Sequence, residues 1–106
     1  MILGGFLMSD LAKKVLKYLK EKYPNFTILS EYRVGKTRYH IDFYIREMNM
    51  GVEVDGEQHS KFVPYFHKTG TEYARSRERD RYKEEWCEEN NINLVRVKTK
   101  EDLKKL

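Results

Sequence analysis

Two runs in the middle of the chain alternate strictly, and both carry acids in the same phase. Residues 38–45 set Tyr39, Ile41, Phe43 and Ile45 on one side and Arg38, His40, Asp42 and Tyr44 on the other. Asn49 and Gly51 supply a turn. Val52-Glu53-Val54-Asp55 then alternates again until Gly56 stops it. Side chains reverse with every residue of a strand, so both runs read as half-buried strands with Asp42, Glu53 and Asp55 turned away from the apolar side. Paired through the 47–51 turn, the strands bring Asp42 beside either Glu53 or Asp55, because cross-strand neighbours have Cβ atoms about 4.5–5.5 Å apart. Carboxylates that close repel unless protonated or bridged by a cation. A hard, oxygen-seeking ion such as Mg²⁺ relieves that conflict. The bland alternative, a solvated polar face, leaves aspartate in strands unexplained, since strands disfavour it.

The rest of the chain supplies elements to cover such a sheet. Ser9-Asp10 marks a helix start, Leu11, Val15 and Leu19 form an apolar stripe among lysines, and Pro24 ends it. Residues 27–34 read as a strand and Gly35-Lys36 as a turn. Residues 59–70 read as a loop broken by Pro64 and Gly70. A charged helix follows over 72–89, closed by Asn90-Asn91. Ile92 to Val97 makes a last strand, and 100–106 a short terminal helix. The order is helix, three strands, helix, strand: a single α/β domain over 1–106, with a mixed sheet of about four strands flanked by helices.

Charge then narrows the partner. Lys and Arg number 21 against 17 Asp and Glu, for a formal charge of +4 in 106 residues, which mildly favours a polyanion. Five lysines in the first helix and five basic residues over 75–83 flank the acidic strands. Cations that hold a phosphate backbone beside a metal site suit a phosphodiester substrate. One cysteine, Cys87, excludes an intrachain disulfide, fits a reducing compartment, and reads as a buried thiol. It has no Cys or His at ligand spacing, which argues against zinc. Residues 1–7 are apolar but too short to span a bilayer and lack a basic start; they read as a frayed or packed arm, with no membrane partner and a cytoplasmic location.

His59 lies four residues past Asp55, where a histidine can act as base toward water or as donor to phosphate. His40 and His67 lack comparable support. Asp80 shares a helical stripe with Tyr73, Arg77, Glu84 and Cys87. An inward Asp80 orients His59 or completes a metal site; an outward one is part of an ordinary ion-pair helix. Phe62, Tyr65 and Phe66 either stack on bases or cap the core.

Four blocks together resemble a known family: Arg38-Tyr-His-Ile-Asp42-Phe-Tyr, Gly51-Val-Glu53-Val-Asp55-Gly-Glu-Gln-His59, Arg79-Asp80-Arg81-Tyr-Lys, and Asn91-Ile-Asn-Leu-Val-Arg96-Val. They are similar to the very-short-patch-repair-like branch of the PD-(D/E)xK nuclease superfamily, small endonuclease-like proteins of phages and bacteria. The resemblance runs from about Ser9 to Val97. It implies a restriction-endonuclease-like sandwich and Mg²⁺-dependent cleavage or nicking of DNA, with Mn²⁺ able to substitute. Asp42 would be the central metal ligand, Glu53 the second acid, His59 the base or phosphate contact, Asp80 its helix-borne partner, and Gln58 a support. Asp55 and Asp10 would be further metal ligands, with Glu31 as the alternative to Asp10. Two departures stand out: Asp55 occupies the place of the usual lysine, and Asp10 that of a longer glutamate.

The expectation is thus a hydrolytic DNA endonuclease of bacterial or phage-infected cytoplasm, with Asp42, Glu53, His59 and Asp80 catalytic. Arg38, Lys61, Tyr65, Arg77 and Arg81 would touch DNA. In so small a chain specificity is either modest or supplied by a homodimer or a partner protein. The competing class is a non-catalytic DNA-binding or repair accessory domain on the same fold.

Overall fold

The computed structural model of the chain describes residues 2–3, 6–55 and 70–106. It opens on a small antiparallel pair, β1 (Ile2–Leu3) with β2 (Phe6–Leu7), where sequence alone suggested only an arm. Two glycines separate these strands in sequence, a composition that hairpin turns favour.

Helix α1 (Asp10–Lys22) begins where expected, with the Ser9 hydroxyl accepting from the Ala12 N–H at 3.2 Å. Asp10 in the first turn and Lys20 and Lys22 in the last complement the helix dipole. Lys22 also donates to the carbonyl of Leu106, tying the helix end to the chain terminus. Ala12, Val15 and Leu19 are its buried stripe. Each large side chain of that kind contributes about 1.5–3 kcal/mol by leaving water.

The sheet consists of β3 (Ile28–Arg33), β4 (His40–Ile45), β5 (Met50–Val54) and β6 (Asn93–Val97), in that spatial order. β3–β4 and β4–β5 are antiparallel. β5–β6 is parallel, a pairing that needs a crossover, and a helix lies between the two strands in sequence. That helix is α2 (Gly70–Glu89), two residues longer at its start than the sequence suggested. A 3₁₀ turn over Lys100–Lys105 follows β6, closed by a reciprocal capping box between Thr99 and Asp102. The architecture is α/β: a four-stranded mixed sheet flanked by helices, compatible with the sandwich that the resemblance implies.

Two apolar clusters fill the two sides of the sheet. On one, α1 meets Phe43, Ile45, Met50, Val52 and Val97. On the other, Trp86 and Cys87 of α2 meet Val34, Ile41, Tyr44 and Leu94. Ile41 therefore departs from the expected single apolar face shared with Phe43 and Ile45. The strand changes its facing at Asp42, where regular pairing gives way to side-chain bonds. Gly51 makes room for the result: a Cβ there would lie 3.2 Å from the Ile41 Cγ2 and 3.3 Å from the Leu94 Cδ1.

Candidate active site

Register sets the acids in one row. Phe43 pairs with Val52, the last ladder pair of β4 and β5, and just beyond it the Asp42 N–H meets the carboxylate of Glu53 rather than of Asp55. Ser30 pairs with Phe43 and Tyr32 with Ile41, so Glu31 stands opposite Asp42 on the other side. Glu53 in turn pairs with Arg96. One line across all four strands thus reads Glu31, Asp42, Glu53, Arg96. Glu31 holds a left-handed backbone (φ 53°) there, a conformation that non-glycine residues seldom adopt and that interrupts β3 at the row.

The strands are stitched at the row by their own carboxylates. The Asp42 N–H donates to Glu53 Oε1 at 3.1 Å, and the Val54 N–H donates to Asp42 Oδ2 at 2.7 Å. Each acid accepts a main-chain donor of the other strand, which satisfies the amides and fixes both side chains. Burial pushes the Asp42 carboxyl above its ordinary range; the Val54 N–H and the Lys83 charge oppose that, and Glu31 and Asp55 add to it. Glu53 is also raised, by burial first and then by Asp42, with Lys83 opposing.

The cation that answers Glu53 comes from the helix. Lys83 is buried, and its Nζ lies 2.9 Å from Glu53 Oε2. Arg96 completes the set: its Nη1 is 3.1 Å from Asp55 Oδ2 and 3.9 Å from Glu53 Oε2, and its Nε is 3.4 Å from Glu84 Oε2. Asp55 is thereby committed to Arg96 and stands one step outside the acid row.

The other expected site residues divide clearly. Asp10 is exposed in the first turn of α1 and serves that helix end; Glu31 is the acid beside Asp42. Asp80 is half-buried, with Oδ1 3.7 Å from the neighbouring Arg79 Nε, and the α2 side chain that reaches Glu53 is Lys83. Arg77 and Arg81 line an open pocket with Asp80, and Arg38 is exposed in the β3–β4 connection. Gln58, His59, Lys61 and Tyr65 lie outside the described residues, as do Phe62, Phe66 and His67.

Lys83 and Arg96 are the functional candidates that sequence reasoning passed over. Lys83 had one signal: it precedes the buried Cys87 by four residues, so it shares the sheetward side of α2. Arg96 had the parallel phase of β6, visible only once β6 is known to pair with β5. Among the described residues, no three His, Cys, Asp or Glu side chains converge as a ready-made metal cage.

Known proteins place the chain only loosely. It is 38% identical over 63 residues to uncharacterized protein 307L of Invertebrate iridescent virus 6, covering 59% of this chain and 32% of that protein. It is 36% identical over 58 residues to uncharacterized protein 094L of Frog virus 3 (isolate Goorha), covering 54% of this chain and 37% of the relative. The chain thus spans about a third of the length of the curated relatives it matches. No protein-family profile matches it, and no solved structure does. Among the described residues, no helix is long and apolar enough to cross a membrane.

Proposed function

We propose that this chain is a Mg²⁺-dependent DNA endonuclease whose centre is the Asp42–Glu53 pair with Lys83 set against it. The observation that carries this reading is the pair itself: a half-buried Asp42 and a buried Glu53 side by side on adjacent strands, both with raised proton affinity, beside a buried lysine. Burying charges this way is costly for stability alone, and such arrangements concentrate at functional sites.

The donor set fits a hard cation. It is all oxygen: Asp42 spends Oδ2 on the Val54 amide and keeps Oδ1, while Glu53 gives Oε1 to the Asp42 amide and Oε2 to Lys83, which a bound cation would have to share. Asp42 and Glu53 would hold the ion, with Glu31 next to them. When bound, Mg²⁺ would stabilise charge developing on a scissile phosphate. Lys83 orients Glu53 and places a fixed positive charge beside the reacting phosphate, in the role that the missing strand lysine would fill. Arg96, through Asp55 and Glu53, keeps the end of β5 in register with β6.

Supercoiled plasmid incubated with Mg²⁺ tests this directly. Nicking or linearisation is expected, falling by about 10²-fold or more in Asp42→Ala and in Lys83→Met. Cleavage that persists unchanged in both variants rejects the assignment. The second reading, a DNA-binding domain without catalysis, is favoured by one observation: Lys83 already answers the charge of Glu53. It predicts stabilisation by duplex in thermal melts with no response to Mg²⁺.

A further inference from the structure

A second site adjoins the acid row. An open pocket of about 640 Å³ lies between the first half of α2 and the ends of β5 and β6. Parallel strands β5 and β6 both finish there, and crevices beyond the carboxyl ends of parallel strands are recurrent ligand sites. Its wall carries four cations and four acids, so its gross charge balances. The pairing inside it does not. Arg96 takes up Asp55 at 3.1 Å and Glu84 at 3.4 Å, while Asp80, also in the wall, lies 3.7 Å from Arg79, which does not line the pocket. Arg77, Arg81 and Lys98 are left with no carboxylate partner among the described residues, against Glu78 alone on the acid side. Arg77 is steadied without being neutralised: it lies 5.8 Å over the Tyr73 ring and donates to its hydroxyl at 3.4 Å.

We infer that this pocket is a phosphate-binding subsite, in which Arg77, Arg81 and Lys98 hold a phosphate of the DNA strand adjacent to the acid row. Two guanidinium groups one helical turn apart on α2 and the ammonium of Lys98, just past β6, line one wall and offer several donors to a tetrahedral anion. Arg96 belongs to both sites, since it lines the pocket and reaches Glu53 Oε2 at 3.9 Å. A strand seated here therefore passes directly to Asp42 and Glu53. The inference rests on the nuclease reading for the identity of the strand, while the anion site itself stands without catalysis.

The test uses the full chain carrying Asp42→Ala, without divalent metal, so that binding is read apart from cleavage. Inorganic phosphate is titrated first, followed by amide and guanidinium NMR shifts. Perturbations are expected at Arg77, Arg81 and Lys98. A short single-stranded oligonucleotide with a 5′-phosphate and its 5′-hydroxyl counterpart follow. Tighter binding of the first assigns the pocket to a strand terminus; equal binding assigns it to an internal backbone phosphate. Arg81→Gln with Lys98→Gln should lower the salt slope of oligonucleotide binding by about 1–2 counterions. Lys13→Gln with Lys17→Gln, on exposed positions of α1, removes the same charge elsewhere and should leave the slope near its starting value. Equal losses in the two double variants, or phosphate shifts absent from the pocket, overturn the inference. If these results hold while plasmid cleavage fails, the pocket survives and only the nuclease reading falls.

Discussion

On the α1 side of the sheet, Phe43, Ile45, Met50, Val52 and Val97 close against Ala12, Val15 and Leu19 with no charged side chain among the buried residues. On the α2 side, the same strands turn Tyr44 and Ile41 toward Trp86 and Cys87 at one end, and Asp42 and Glu53 toward Lys83 at the other. The first side spends its area on close packing, which favours stability alone. The second is divided, and its charged half includes buried ion pairs that close packing would have served more cheaply. This difference is why the proposed site is placed on the α2 side.

The largest effect that can break this comparison lies on the α1 side. Phe43→Ala should cost about 3–5 kcal/mol in urea unfolding, because a nearly solvent-free ring leaves a cavity that flanking strands cannot close. A loss below about 1 kcal/mol would deny that this side is the main core.

Next comes the ion pair. Lys83→Met should destabilise by about 3 kcal/mol, since it leaves Glu53 buried with only a distant Arg96. Adding Glu53→Leu should recover most of that loss, and a double-mutant cycle measures the coupling. Strict additivity would show that the two charges do not depend on each other.

Asp42→Asn should act in the opposite direction, stabilising the metal-free chain by about 1 kcal/mol at neutral pH while removing the proposed nuclease activity. The amide can still accept from the Val54 N–H. The sign follows from the raised proton affinity of Asp42. Its contribution is present below the ordinary carboxylate range and lost as pH rises through the folded value. Wild type and Asp42→Asn should therefore converge in acid and separate toward neutrality; a gap that instead widens in acid contradicts the burial account.

The smallest effect carries the reverse sign. Glu47, at the surface, is lowered by the Thr27 N–H it accepts at 2.6 Å. Its stabilisation is present above the ordinary carboxylate range and lost as pH falls. Glu47→Gln should slightly flatten the acid limb of a melting-temperature profile. An unchanged limb would mean that this contact contributes nothing.

Much of this was legible in the chain. The Ser9 cap, the stop at Pro24, the acid-bearing alternation of residues 38–45 and 52–55, and the closure of α2 at Asn90-Asn91 are local signals, set by hydrogen-bond geometry within a few residues. The charged helix was visible too, but not which way it faced, because its charges surround it on every side and leave little apolar stripe. That is why the sequence left the facing of Asp80 open and did not single out Lys83.

Sequence by itself determined that two acid-bearing strands exist and that Asp42 belongs with an acid of the second. Only the tertiary structure decided that this acid is Glu53, that Glu31 extends the row, and that Asp55 is claimed by Arg96. The reason is range. A strand's alternation is written in its own residues, whereas register, the parallel docking of β6 and the rotation of α2 depend on packing between segments far apart in the chain, such as β5 and β6.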